Sequence, residues 1–134
     1  MDDKDDKDDK DDDKAGRMDE GIAVKVRLLR GGKIAMGPGK ADLLDAIGRT
    51  GSISAAARAM GMSYRRAWLL VDIMNRSFGA PLVRSAAGGS RGGGAKVTAT
   101  GMQVLTHYRA MQAAASAAAG PHAAALSKLL RPGD

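Results

Sequence analysis

The segment from Gly51 to Phe78 restricts this chain more than any other part of it. Ser52-Ile53-Ser54 opens a helix, with Ser54 the expected N-cap of Ala55-Ala56-Ala57-Arg58-Ala59-Met60, and Gly61 ends it after about two turns. Ser63 then caps a longer helix running to about Phe78, whose apolar stripe is Ala67, Val71, Met74 and Phe78. Two helices joined by a short, glycine-containing turn form a helix-turn-helix unit. The small side chain of Ala57 lets the two helices approach, and Gly61 supplies the positive φ that re-aims the chain. Met60, Met62 and Leu70 are placed to fill the angle between them.

The flanking segments switch period. Ile22, Val24, Val26 and Leu28 alternate with Lys25 and Arg27, which predicts a half-buried strand over 22–29. Gly31-Gly32 is a tight turn, Lys33 to Met36 a short return strand, and Gly37-Pro38-Gly39 its stop. Leu43, Leu44 and Ile47 then mark a helix that Gly51 closes. Beyond Phe78, Pro81 to Arg84 and Ala95 to Thr98 read as paired strands around a loop, Ala86 to Gly94, too rich in glycine to pack. Thr98 or Thr100 caps a long last helix from about Gly101 to Ala119. Gly120-Pro121 is expected to break it, leaving His122 to Leu130 as a short helix or tail. The expected fold is mainly α with a small β component, a winged helix-turn-helix with a long C-terminal helix.

A chain of 134 residues has room for one domain, and with 3% aromatic residues its core must be built from Ala, Leu, Val, Ile and Met. Without cysteine it has no disulfide framework and no thiolate chemistry. The absence of an 18-residue apolar run and of a secretory signal predicts a cytoplasmic protein with no membrane partner. The formal charge of +6 averages two unlike pieces. Residues 1–14 hold nine Asp and four Lys, resemble a FLAG-type epitope ending in Asp11-Asp12-Asp13-Lys14, and lack the apolar surface to fold. Set aside as a tag, they leave seventeen basic and six acidic residues, a balance of +11. The expected division is a tag and linker over 1–17, the folded domain with a dimerisation helix over 18–120, and a tail over 121–134.

So basic a domain is suited to a polyanion. In a helix-turn-helix the N-terminal end of the second helix meets the major groove, and here it carries Ser63, Tyr64, Arg65 and Arg66. Arginine can bond bidentately to guanine, while hydroxyls and helix-start amides grip phosphate. The candidate double-stranded DNA contacts are Ser52, Ser54, Ser63, Tyr64, Arg65 and Arg66 on the helices, with Arg84, Arg91, Lys96 and Thr98 on the glycine-rich hairpin. Arg65 and Arg66 would also suit an ordinary solvated face, a reading that the overall charge and the hairpin disfavour. Trp68 is read as a packing residue and Tyr64 as lying at the rim of the core. Leu69 and Ile73 are read as a wider core contact. Met102, Leu105, Met111 and the run from Ala113 to Ala119 suit a helix lying against a twin in a homodimer.

Catalysis has no candidate residues. His107 and His122 stand fifteen apart with no cysteine or carboxylate cluster, a spacing that fits no metal motif. Gly92 to Val97 lacks the ending of a P-loop, and Asp42 stands where a dinucleotide fingerprint needs its third glycine. The alternatives to a sequence-specific regulator are a protein-interaction module on the same scaffold and a nucleoid protein binding DNA without preference.

Gly51-Ser52-Ile53-Ser54, Gly61 to Trp68, Met74-Asn75 and the glycine-rich run Ala87 to Thr98 followed by Gly101 resemble the DNA-binding domain of ModE-type molybdate-responsive regulators. The likeness covers roughly residues 22–115. A more distant one, through Gly51 to Ala57 and Val97 to Gly101, runs to LysR-type regulators. The resemblance implies DNA binding and dimerisation. The paired β domains that bind molybdate in that family have no counterpart in these 134 residues, so no cofactor is expected.

Overall fold

The computed structural model describes residues 21–86 and 94–132. In order they form β1 (Leu28–Arg30), β2 (Lys33–Met36), α1 (Pro38–Thr50), α2 (Ile53–Met60), α3 (Tyr64–Ser77), β3 (Val83–Ala86), β4 (Gly94–Val97) and α4 (Ala99–Ser127). The strands pair as two antiparallel hairpins, β1 with β2 and β3 with β4. This is a winged helix-turn-helix with a long C-terminal helix. The expected tag over 1–17 and the loop over 87–93 lie outside the described residues.

α1 is the centre of the core. Its Ala41, Leu43, Leu44, Ala46 and Ile47 are fully buried, and α2, α3, α4 and β4 all pack on it. The expected stop at Gly37-Pro38-Gly39 is also where α1 starts. Proline suits the first helical position, where its fixed φ is already helical and its missing N–H has no intrahelical partner to lose. Gly51 closes the helix with φ 73°, its N–H donating to the Ile47 carbonyl at 2.8 Å. Its own carbonyl accepts the Ala95 N–H at 2.9 Å, which ties β4 to the turn between α1 and α2.

α2 starts two residues earlier than expected, and the cap is Ser52 rather than Ser54. The Ser52 hydroxyl accepts the Ala55 N–H at 3.0 Å, while Ser54 sits inside the helix and accepts from the Arg58 guanidinium at 3.0 Å. The cause is Ile53, whose side chain is buried and therefore must already lie on the inner face of the helix. Gly61, with φ 69°, reverses the chain into α3, where Ser63 accepts the Arg66 N–H at 3.0 Å as the sequence predicts. Ala67, Leu70, Val71 and Met74 of α3 are sealed against α1 and α2, with Met60, Met62 and Phe78 packed at the margin.

The first and last elements depart from expectation. Regular pairing reaches only from Leu28 to Arg30, with an irregular register between Leu28 and Leu29, and residues 22–27 have no ladder partner. β2 is four residues long and can pair with no more. Upstream, the Val26 carbonyl instead accepts from the Tyr108 hydroxyl of α4 at 2.8 Å, and Val26 packs on the core. α4 does not stop at Gly120-Pro121 but continues to Ser127 with the proline inside it. Proline removes one hydrogen bond and crowds the preceding turn, yet alanine, the best helix former, flanks it from Ala113 to Ala119 and again from Ala123 to Ala125. No helix among the described residues is long and apolar enough to cross a membrane.

Where α4 begins, its first turn lies against the strand that leads into the wing. A Cβ on Gly101 would collide with the Leu82 carbonyl oxygen and approach Val97 Cγ1 to 2.7 Å, whereas a Cβ on Gly61 would meet nothing within 4 Å. Gly101→Ala is therefore expected to destabilise the domain by ~1–3 kcal/mol through overpacking. Gly61→Ala should cost about 1–2 kcal/mol through backbone conformation alone. Urea denaturation checks both, and a Gly101→Ala midpoint equal to the parent's would contradict the packing described.

Candidate nucleic-acid interface

With one face of α3 buried, the other is obliged to point outward. It presents Tyr64, Arg65, Trp68, Asp72 and Arg76, all exposed, and Arg66 half-buried beside them. Asp72 and Arg76 neutralise each other at 2.6 Å in the C-terminal half of the helix. The N-terminal half carries Tyr64 and Arg65 next to backbone amides of the first turn, which have no partner within the helix. Helix ends of this kind favour negative charge.

The hairpin shares a cleft with the same helix, at Trp68, Val71 and Asn75. Arg84 of β3 and Lys96 of β4 are cross-strand partners, and both are exposed. Like charges directly opposite on a ladder repel, a cost that an anion bridging them would relieve. Arg58, exposed in the last turn of α2, adds a further cation to the helix-turn-helix. Lys40, by contrast, is buried in α1 and contributes nothing to the surface. Between α3 and the hairpin runs a cleft of about 250 Å³, floored by Ile53, Val71, Val83 and Ala95 and edged by Trp68, Arg84 and Ser85.

The serine and threonine candidates divide by what their hydroxyls already do. Ser52 and Ser63 accept backbone N–H groups as helix caps, which leaves the hydroxyl hydrogen to donate. Thr98 donates its hydrogen to the Pro81 carbonyl at 2.7 Å and accepts the Gly101 N–H at 3.0 Å. Its hydroxyl is a latch between the wing and α4 rather than a free donor. Ser54 is exposed and accepts from Arg58. Arg91 lies outside the described residues. Trp68, expected to pack, does so with only part of its ring and is 41% exposed. Its indole N–H donates to the Tyr64 hydroxyl, and the two rings meet edge to face with centroids 6.4 Å apart.

The positioning roles of two residues were not read from sequence. Asn75 fastens α3 to the wing: its Oδ1 accepts the Leu82 and Val83 N–H groups at 2.8 and 3.1 Å, and its Nδ2 donates to the Val83 carbonyl at 3.0 Å. A mid-helix asparagine beside a core methionine was the available signal, since Asn is a poor helix former kept for its side-chain bonds. Arg109 of α4 donates to the Asp42 carboxylate of α1 at 2.8 Å and holds the long helix against the core. Among the described residues no group of three or more His, Cys, Asp or Glu side chains could hold a metal ion.

Residues 40–102, spanning α1 to the start of α4, match the family of bacterial regulatory helix-turn-helix proteins of the lysR type. Over this segment the chain carries a helix-turn-helix domain of the class found in bacterial DNA-binding transcription regulators, both LysR-like and ModE-like. It is 45% identical over 100 residues to the molybdenum-pterin-binding protein MopB of Rhodobacter capsulatus, a match covering 75% of this chain and 37% of that protein. It is 44% identical over 70 residues to the molybdenum transport protein ModE of Azotobacter vinelandii, covering 52% of this chain and 26% of the relative. To the DNA-binding transcriptional dual regulator ModE of Escherichia coli K12 it is 38% identical over 76 residues, 57% of this chain and 29% of that protein. The chain thus spans well under half the length of each of these relatives.

The Asn75 clamp has a local signature. Asn75→Ala leaves the Leu82 and Val83 amides without their acceptor, a loss worth ~1–3 kcal/mol. Hydrogen exchange at those two amides should accelerate by about tenfold or more while the Leu43 to Ile47 amides of α1 change far less. Equal acceleration throughout, or none at Val83, would show that the wing is not held this way.

Proposed function

We propose that this domain binds double-stranded DNA with sequence preference, placing the N-terminal end of α3 in a major groove and the β3–β4 wing on the adjacent backbone. One observation carries the reading: Tyr64 and Arg65 are presented outward by a helix whose opposite face is locked in the core. The exposed pair Arg84 and Lys96 stands on the neighbouring hairpin. Arg65, with Arg66 beside it, supplies guanidinium groups suited to guanine O6 and N7. Arg84 and Lys96 supply charge for phosphates, and the hydroxyls of Ser52 and Ser63 supply donors. Arg91, which falls between β3 and β4 in the sequence, is proposed as a further backbone contact. The E. coli relative is named a DNA-binding transcriptional regulator, which supports the same role here. No cofactor enters the reading, and such a regulator acts in the bacterial cytoplasm.

The reading includes a homodimer. Leu28, Met36, Phe78, Val104, Tyr108 and Met111 line an apolar groove of about 440 Å³ between the first hairpin and α4. Met102 and Met111 are exposed on α4, by 51% and 40%. A twin α4 laid along this face would cover Met111, while Met102 lies half a turn round the helix from it, and would set two recognition helices facing half-sites ~34 Å apart, or a multiple of that. Met111→Glu would place a charge in that contact, and sedimentation should show the dimer giving way to monomer. A variant that sediments like the parent would remove this face from the dimer.

Sequence preference and backbone contact are separable by titration. Arg65→Ala should cost ~1–3 kcal/mol on an enriched duplex and much less on a random one. Lys96→Ala should weaken both alike and reduce the salt dependence by about one unit of log–log slope. Equal losses for Arg65→Ala on both duplexes would remove base reading and leave a DNA-binding protein without preference.

A further inference from the structure

We infer that Trp68 reads thymine, through the apolar contact of its indole ring with the C5-methyl group. The inference rests on the major-groove docking proposed above and adds to it one residue and the chemical feature that residue recognises. Trp68 lies one turn inside α3, on the same face as Tyr64 and next in line to Arg65, and 41% of it is exposed. An indole has a single polar group, its N–H donor. That donor is committed to the Tyr64 hydroxyl. The ring therefore offers a partner no free donor and no acceptor, only apolar surface.

Along the major-groove edges of the four bases, donors and acceptors account for every readable feature except one, the thymine methyl. An aromatic face with its donor satisfied is the complement of that methyl and of nothing else on those edges. The surroundings fix the class of partner. Arg65 adjoins the ring on α3, Arg84 lines the same cleft as the ring from the wing, and Lys96 stands across the ladder from Arg84. The acidic residue further along the outer face, Asp72, is paired with Arg76. An apolar spot among exposed cations fits a polyanion that carries methyl groups. The hydrogen bond and edge-to-face contact with Tyr64 limit how the indole can turn, and the ring lines one cleft with Ile53 and Val71.

The test uses duplexes selected from a random pool by the parent protein, in which each thymine is replaced singly by deoxyuridine. This substitution deletes the methyl and leaves every hydrogen-bonding group in place. The parent should lose about fourfold in affinity at one or two thymine positions, the worth of one buried methyl. Trp68→Ala should bind thymine and deoxyuridine duplexes equally at those positions, while Trp68→Phe, still apolar, should keep most of the discrimination. Because the readout is a ratio measured on one preparation, any partial unfolding of a variant cancels. A thymine-to-deoxyuridine ratio in Trp68→Ala equal to the parent's, or a parent indifferent to every replacement, would overturn the inference while leaving major-groove docking intact. A pool that yields no enriched duplex would overturn both.

Discussion

The seal between α3 and α1 is the contact on which the rest of this molecule depends. Ala67, Leu70, Val71 and Met74 have almost no surface in water, and they meet a helix whose own Leu43, Leu44 and Ile47 are equally enclosed. Rotating α3 by even one residue would pull these side chains into solvent and drive Trp68 or Arg65 inward, at several kcal/mol for the exchanged burial. The orientation of the outer face is thus a consequence of the core. So is the position of the wing, because Asn75, one residue past Met74, reaches from the same helix to fasten Leu82 and Val83.

Small residues make this arrangement possible. Ala56 and Ala57 let α2 lie close to its neighbours, and Gly51 and Gly61 turn the chain sharply at the two ends of α2. Gly101 lets the first turn of α4 press against the Leu82 carbonyl. The wing is then held from three directions: by Asn75 from α3, by the Gly51 carbonyl from the end of α1, and by Thr98 from α4. α3 and a hairpin so coupled form one rigid surface, which is what the proposed simultaneous contact with a groove and its flanking phosphates requires.

Much of this was legible in the sequence because it depends on local chemistry. The stripe from Ala67 to Met74, the cap at Ser63 and the two chain-reversing glycines each act within a few residues, so spacing alone reveals them, whereas it leaves Thr98 and Thr100 equal as caps of α4. What was missed depends on partners distant in sequence. The alternation at Ile22 to Leu28 predicts a strand, but whether a strand forms is decided by the length of β2 and by Tyr108, more than eighty residues away along the chain. Proline predicts a break in α4, but helix formers on both sides outweigh a single lost bond. Ser54 and Ser52 are equivalent as caps until the burial of Ile53 chooses between them. Of the site, Arg65, Arg84, Lys96 and Tyr64 were legible as exposed helix-start and hairpin residues. The partial exposure of Trp68 was not, because an aromatic next to a core stripe gives no sign of which side it will take.

The central claim is that one surface, made of the N-terminal end of α3 and the wing, meets DNA. Amide chemical shifts followed while the protein is titrated with an enriched duplex test it most directly. The account predicts that the largest changes fall at residues 63–68, Arg84 and Lys96, with the buried amides of α1 little affected and the face of α4 around Met111 unchanged. Shifts confined to α4 and the first hairpin, with the α3 end silent, would contradict it.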